Sequence, residues 1–266
     1  MKVRIGKFGL VNNFLPYFRL EQKGVPIIEA PPAKLAEMFE KGKIDFAPVP
    51  SFYYLKNKDR LRSYDFCVAS KEKVLSVLVV SKERELDDGS IAITNQTMTS
   101  VNLLKIILNE RRMKNMLVPV NESRADELLK HCNHALVIGD EAIKARMKHE
   151  NPPIPPFSKG GKGGFSYKVV MDLGEEWYKL TGSSMVFGIS VSPKDIDMSD
   201  VNRKVMKSVG WGEENIDMIV TEAEKKFKLP KNFLETYVKS LTYRMGEEEV
   251  RGLELFEEKC REHGLL

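Results

Sequence analysis

The chain has 266 residues, of which 42% are hydrophobic and 30% charged, with a formal net charge of only +4. That is enough apolar material for one large domain or two small ones, and too even a charge balance for a nucleic-acid surface. No run approaches the roughly 18 apolar residues of a membrane span. Residues 1–18 carry charges where a signal peptide needs an apolar core. Cys67, Cys132 and Cys260 have neither disulfide-framework nor zinc spacing, so a soluble, cytoplasmic protein without a metal site is expected.

In chain order, Val3 to Phe8 is predicted as a strand, Asn12 to Leu20 as a helix and Pro26 to Glu29 as a second strand. Leu35, Met38 and Phe39 give helical spacing over Ala33 to Lys41, and Phe46 to Val49 reads as a third strand. Ser51 then opens another helix, its hydroxyl placed to cap it. This β-α-β-α-β-α run argues a parallel sheet with helical crossovers. Lys73 to Val80 is a buried-strand run and Gly89 to Thr94 another strand. A helix is predicted over Thr97 to Asn109, with shorter helices over Asp126 to His131 and Asp140 to Lys148 around a strand, Ala135 to Ile138. Residues 151–165, NPPIPPFSKGGKGGF, crowd prolines and glycines together and are read as a disordered surface insertion. A phosphate-binding loop fails there, because no strand leads in and no helix leads out. Tyr167 to Met171 is a strand followed by a polar turn, Ser184 to Val191 a further strand, and the rest is mostly helical.

The two long apolar strands near 74–80 and 184–191 bracket the middle unit. A chain that leaves one lobe and returns later gives two α/β lobes with a ligand cleft between them. The division expected is residues 1–85 with 186–266 in one lobe and 86–185 in the other.

No Ser-His-Asp, HExxH, Walker A or GxGxxG constellation is present, and the four histidines, His131, His134, His149 and His263, sit among charges and read as surface. The turn Thr94-Asn95-Gln96-Thr97-Met98-Thr99-Ser100-Val101 is dense in hydroxyls at a helix start. It either caps the helix or receives a carboxylate or phosphate. Ser76, inside an apolar run, is either bonded to backbone or faces a cavity. Asn13 either caps a helix or points into the cleft. Asn13, Ser51 and Thr97 all fall at carboxyl ends of strands, where open α/β sheets bind ligands.

Several segments together resemble one enzyme family, the chorismate dehydratases of the futalosine route to menaquinone. They are Gly6, Asn13-Phe14-Leu15-Pro16, residues 42–49 (GKIDFAPV), Ser76, Thr97-Met98-Thr99-Ser100-Val101, Ile138-Gly139-Asp140, Asp172-Leu173-Gly174-Glu175-Glu176-Trp177, Thr181-Gly182 and Met185-Val186-Phe187. The resemblance covers nearly the whole chain and implies a type 2 periplasmic-binding-protein-like fold. It implies elimination of water from chorismate to give 3-[(1-carboxyvinyl)oxy]benzoate, with the substrate's enolpyruvyl carboxylate taking the ring proton and no metal or organic cofactor. By the same resemblance Asn13 is the catalytic residue, Ser76 holds a substrate polar group, and Thr97, Met98, Thr99 and Ser100 receive a carboxylate. Ser51 is added as a binding residue from its position. The insertion at 151–165 departs from the family pattern. Two rivals remain: the sister enzyme 1,4-dihydroxy-6-naphthoate synthase, which needs a cleft histidine, and a non-catalytic small-anion binding protein.

Overall fold

The computed structural model of the chain describes residues 3–95, 97–150 and 167–266; the segment 151–165 lies outside the described residues. From the N-terminus the chain runs β1 (Ile5–Phe8), a 3-10 turn (Val11–Asn13), α1 (Phe14–Gln22), β2 (Ile27–Ala30), α2 (Pro32–Glu40), β3 (Ala47–Pro50), α3 (Ser51–Asn57) and β4 (Leu61–Ser70). It passes on through β5 (Val77–Ser81), β6 (Ile91–Thr94), α4 (Thr99–Glu110), β7 (Leu117–Val120), α5 (Ala125–His131), β8 (His134–Ile138), α6 (Gly139–Glu150), β9 (Lys168–Asp172) and α7 (Leu173–Thr181). It returns through β10 (Met185–Pro193) to α8 (Ser199–Glu214), α9 (Ile216–Phe227), α10 (Lys231–Lys239), β11 (Thr242–Arg244) and α11 (Glu247–Glu262). No helix among the described residues is long and apolar enough to cross a membrane.

Two sheets result. In the first, β2 lies parallel to β1, and β1 meets the chain just before β3 through a parallel bridge, Ile5 to Phe46. Beyond it the order is β3-β10-β4-β11, with β10 antiparallel to both β3 and β4. The second sheet is β7-β6-β8-β5-β9, with β6 parallel to β7 and β8, and β5 antiparallel to β8 and β9. Each sheet therefore has parallel βαβ units on one side and one inserted antiparallel strand delivered by a crossover. The inner parallel strands are short and buried on both faces, as Ile91–Thr94 and Ala47–Pro50 are throughout, while the outermost ones, β2 and β7, are only partly covered.

The strand Leu61–Ser70, absent from the sequence reading, forms the far side of the first sheet. Its first half is partly solvated, with Arg62, Ser63 and Asp65 exposed, and its second half is wholly buried. β5 pairs only within the second sheet, so that sheet begins at Val77 rather than at residue 86. His134 is not a surface residue: it is fully buried in β8, its ring bonded to Ser81 Oγ at 2.8 Å and Asp87 Oδ1 at 2.7 Å.

The polar turn expected after Met171 is α7, capped by the Asp172 side chain, and it grips both crossovers. Asp172 accepts from the N–H groups of Val74 and Leu75 at 3.0 and 2.9 Å, and from those of Gly174 and Glu175 at the helix start. Leu75 is held at φ +61°, a strained conformation for a side chain of its size. A Cβ on Gly174 would lie 2.5 Å from Glu72 O, so only glycine lets the first crossover pass. From the middle of α7, Trp177 Nε1 donates to Ser184 O at 3.2 Å, on the second crossover, against which Gly252 of α11 also closes.

Candidate active site

A cavity that opens to solvent, with about 600 Å³ of space counting its open mouth, lies between the sheets at the carboxyl ends of their parallel strands. The first lobe lines it with Phe8, Leu10, Asn12, Pro50 and Phe187, a largely apolar wall. The second lobe and its crossover face this with Ser76, Thr97, Met98, Thr99, Ser100 and Gly139. Helices α2, α3, α4 and α6 each bring a residue of their first turn or N-cap to the lining: Pro32, Pro50, Met98 with Thr99, and Gly139. The positive dipole end of a helix lies at such starts, which favours anionic ligands. No lysine, arginine, histidine or carboxylate lines this cavity among the described residues.

Of the sequence-derived residues, Ser76, Thr97, Met98, Thr99 and Ser100 come together in the lining. Asn13 does not. It is fully buried, with Oδ1 accepting from Phe8 N at 3.0 Å and Nδ2 donating to Asn12 Oδ1 at 3.1 Å. The backbone donor fixes which way the Asn13 amide points, and its neighbour Asn12 is the one that faces the cavity. Ser51 neither lines the cavity nor caps α3: Pro50 is the N-cap residue, and the buried Ser51 hydroxyl has no partner among the described residues. Ser51 sits one residue inside the helix, where its hydroxyl is past the position that reaches the first N–H groups.

Ser76 is held on every side. Its carbonyl accepts from Gly139 N at 2.7 Å, its hydroxyl donates to Val74 O at 3.3 Å, and Tyr237 OH donates to that hydroxyl at 3.0 Å. Tyr237, on α10, had no signal in the sequence, because its partner is 161 residues away. Two bonds tie the lobes across the cleft. Phe52 N, at the start of α3, donates to Thr99 Oγ1 at 3.2 Å, and Val11 N donates to Asp140 Oδ1 at 3.1 Å.

An adjoining cavity of about 790 Å³ shares Leu10, Pro32 and Ile138 with the first but carries Glu29, Asp140 and Glu141. Burial raises the Asp140 carboxyl above its ordinary value, against the pull of Val11 N–H and Lys144. Glu29 is paired with Lys7 and Lys226, and Glu141 with Lys144.

Residues 3–262 match a family described as menaquinone biosynthesis. The chain belongs to that family. A chorismate dehydratase of Thermus thermophilus is 33% identical over 176 residues, an alignment that spans 65% of this chain and 62% of that protein. A crystal structure of a protein from Archaeoglobus fulgidus has a TM-score of 0.77 at 16% identity, covering 99% of this chain and 98% of that one. The alkanesulfonate-binding protein SsuA of Xanthomonas axonopodis pv. citri, bound to MOPS, gives 0.69 at 14% identity, with 99% and 93% covered. The periplasmic aliphatic sulphonate binding protein SsuA of Escherichia coli gives 0.65 at 14%, with 99% and 88% covered. These likenesses are of fold, and the chain has the periplasmic-binding-protein fold. The cavity described above lies between the two lobes of that fold.

The group Glu110, Glu262 and His263 has the spacing of a metal site, but Lys259 Nζ already bonds both carboxylates at 2.8 Å. A cation would have to displace that ammonium, and none of these residues lines the cavity.

Proposed function

We propose that the protein is a chorismate dehydratase of the futalosine route, a cytoplasmic hydro-lyase that converts chorismate to 3-[(1-carboxyvinyl)oxy]benzoate. The observation that carries this reading is the pairing of an apolar wall with a hydroxyl wall at converging helix starts, in a chain of the menaquinone biosynthesis family. The cyclohexadiene ring fits against Phe8 and Phe187, and its carboxylates against Ser76 and the Thr97–Ser100 turn. With no ionisable side chain lining the cavity among the described residues, the ring proton goes to the substrate's own enolpyruvyl carboxylate, and the carboxylic acid so formed passes it to the ring hydroxyl as the C–OH bond breaks, so that water leaves. Aromatisation drives the step. The protein contributes orientation and fixed dipoles rather than a base. Asn12, whose oxygen already accepts from Asn13, presents its N–H₂ to the departing hydroxyl; Asn13 acts by holding it.

Purified protein mixed with chorismate should yield the enolpyruvyl-benzoate by mass spectrometry, and Asn12→Ala should yield far less. Chorismate binding without product would replace this reading with a non-catalytic small-anion binding protein, which the fold of the SsuA relatives favours. The naphthoate synthase reading lacks support, because no described histidine reaches the cavity.

A further inference from the structure

We propose that Tyr237 is a positioning residue that commits the Ser76 hydroxyl to donating its proton into the cavity, so that the ligand group seated there is a carboxylate. The inference rests on the reading above that the cavity takes a dicarboxylate. A serine hydroxyl has one proton and two lone pairs. Ser76 Oγ contacts Val74 O, which can only accept, so the serine proton points there and a serine lone pair receives the Tyr237 proton. The bond to Val74 O is long, 3.3 Å, and a charged acceptor arriving in the cavity competes with it on favourable terms. A ligand donor meets a less receptive oxygen, since one lone pair is already occupied by the phenol.

Tyr237 is built to keep this role. It is 1% exposed, and its ring is stacked on Phe233 with centroids 6.0 Å apart and an interplanar angle of 12°. Burial pushes its phenol far above the ordinary tyrosine value, against the pull of the Ser76 hydrogen bond and with a smaller push from the carboxylates of Asp140 and Asp172, so the proton stays on. The backbone around Ser76 is fixed independently, by Asp172 on the N–H groups before it and by Gly139 on its carbonyl. The hydroxyl torsion is the one freedom left, and Tyr237 sets it. Asn13 and Asn12 repeat the arrangement on the opposite wall: a buried group donates to a lining residue and leaves that residue with donors to offer.

The test is a double-mutant cycle on chorismate affinity, read by calorimetry, with turnover recorded in parallel for wild type, Ser76→Ala, Tyr237→Phe and the double variant. Tyr237→Phe keeps the stacked ring and removes only the hydroxyl. Each single change is expected to weaken binding about tenfold, with the double variant no weaker than Ser76→Ala. Additive losses, which a purely structural tyrosine would give, or wild-type affinity in Tyr237→Phe, overturn the proposal. Coupling without product in any variant leaves this inference standing and removes the dehydratase reading; product without coupling does the reverse; no binding by wild type removes both. Should Tyr237→Phe not fold, a structure of wild type grown with chorismate decides: a ligand carboxylate oxygen on Ser76 Oγ, drawn off Val74 O, supports the role, and a hydroxyl still on Val74 O overturns it.

Discussion

The two lobes share one strand order, yet they bring opposite chemistry to the cleft. In each, three parallel strands are followed by an inserted antiparallel strand and a fourth: β2-β1-β3-β10-β4 in the first, where β11 is added beyond β4, and β7-β6-β8-β5-β9 in the second. The loops leaving equivalent strand ends differ. After β1 comes Leu10 and β3 ends on Pro50, both apolar, while after β6 comes the hydroxyl turn ending in Thr99 and Ser100. The same scaffold thus yields a surface for a ring and a surface for carboxylates, and only the short stretches past the strand ends decide which.

The comparison breaks most severely if the hydroxyl wall is erased. Ser76→Ala, Thr99→Val and Ser100→Ala combined should lower kcat/KM on chorismate about a thousandfold, at about tenfold for each lost bond to a charged group; steady-state kinetics showing less than a tenfold loss would mean that the wall does not hold the substrate. Next comes the connection between the walls. Asp172→Ala leaves the N–H groups of Val74 and Leu75 without their acceptor and Arg146 without a carboxylate it now bonds at 3.3 Å, and should cost about 3 kcal/mol in urea unfolding. The asparagine pair then separates reach from support. Asn13→Ala strands Phe8 N and should lower stability by about 2 kcal/mol, whereas Asn12→Ala, which removes only the acceptor of the Asn13 Nδ2 bond, should lower kcat about tenfold and cost about 1 kcal/mol of stability. Equal stability losses from the two would undo that assignment. On the apolar wall, Phe187→Ala should raise KM several-fold with little change in kcat, since ring burial is worth about 1–2 kcal/mol in ground and transition state alike.

The smallest effect is electrostatic. The folded-state pKa of Asp140 is raised by burial, so its contribution to stability is fully present below the unfolded value and is lost as pH rises through the folded one. Asp140→Asn should therefore compare better with wild type at pH 8 than at pH 4 in thermal melts. A difference that runs the other way would show the carboxylate to be stabilised by its partners after all.

Much of this was legible in the chain. Two α/β lobes joined by two crossovers follow from alternating short apolar strands and amphipathic helices. The hydroxyl turn at Thr97–Ser100 and the lone Ser76 stood out because hydroxyls in apolar surroundings need partners. The failures have physical causes. Arg62 and Asp65 hide the outer half of β4, because a strand that is solvated on one face and then buried on both has no single period. Asp172 and Gly174 look like a turn, but the aspartate caps α7 and the glycine admits a passing chain. Asn12 and Asn13 are chemically identical neighbours, and only the 3-10 turn decides which one faces inward. Tyr237 acts across a tertiary contact and leaves no local trace.

The placement of β10 between β3 and β4 has a consequence for synthesis on the ribosome. Every strand of the second sheet comes from one continuous stretch, Val77 to Asp172, so that lobe completes itself soon after α7 emerges. The first sheet waits: β3 and β4 keep unpaired edges until Met185–Pro193 arrives to fill the gap. Open edges of this kind invite pairing with other chains. Protease challenge of stalled nascent chains should find the second lobe protected while the earlier residues are still cleaved, which makes the N-terminal half of this protein the part most in need of a chaperone.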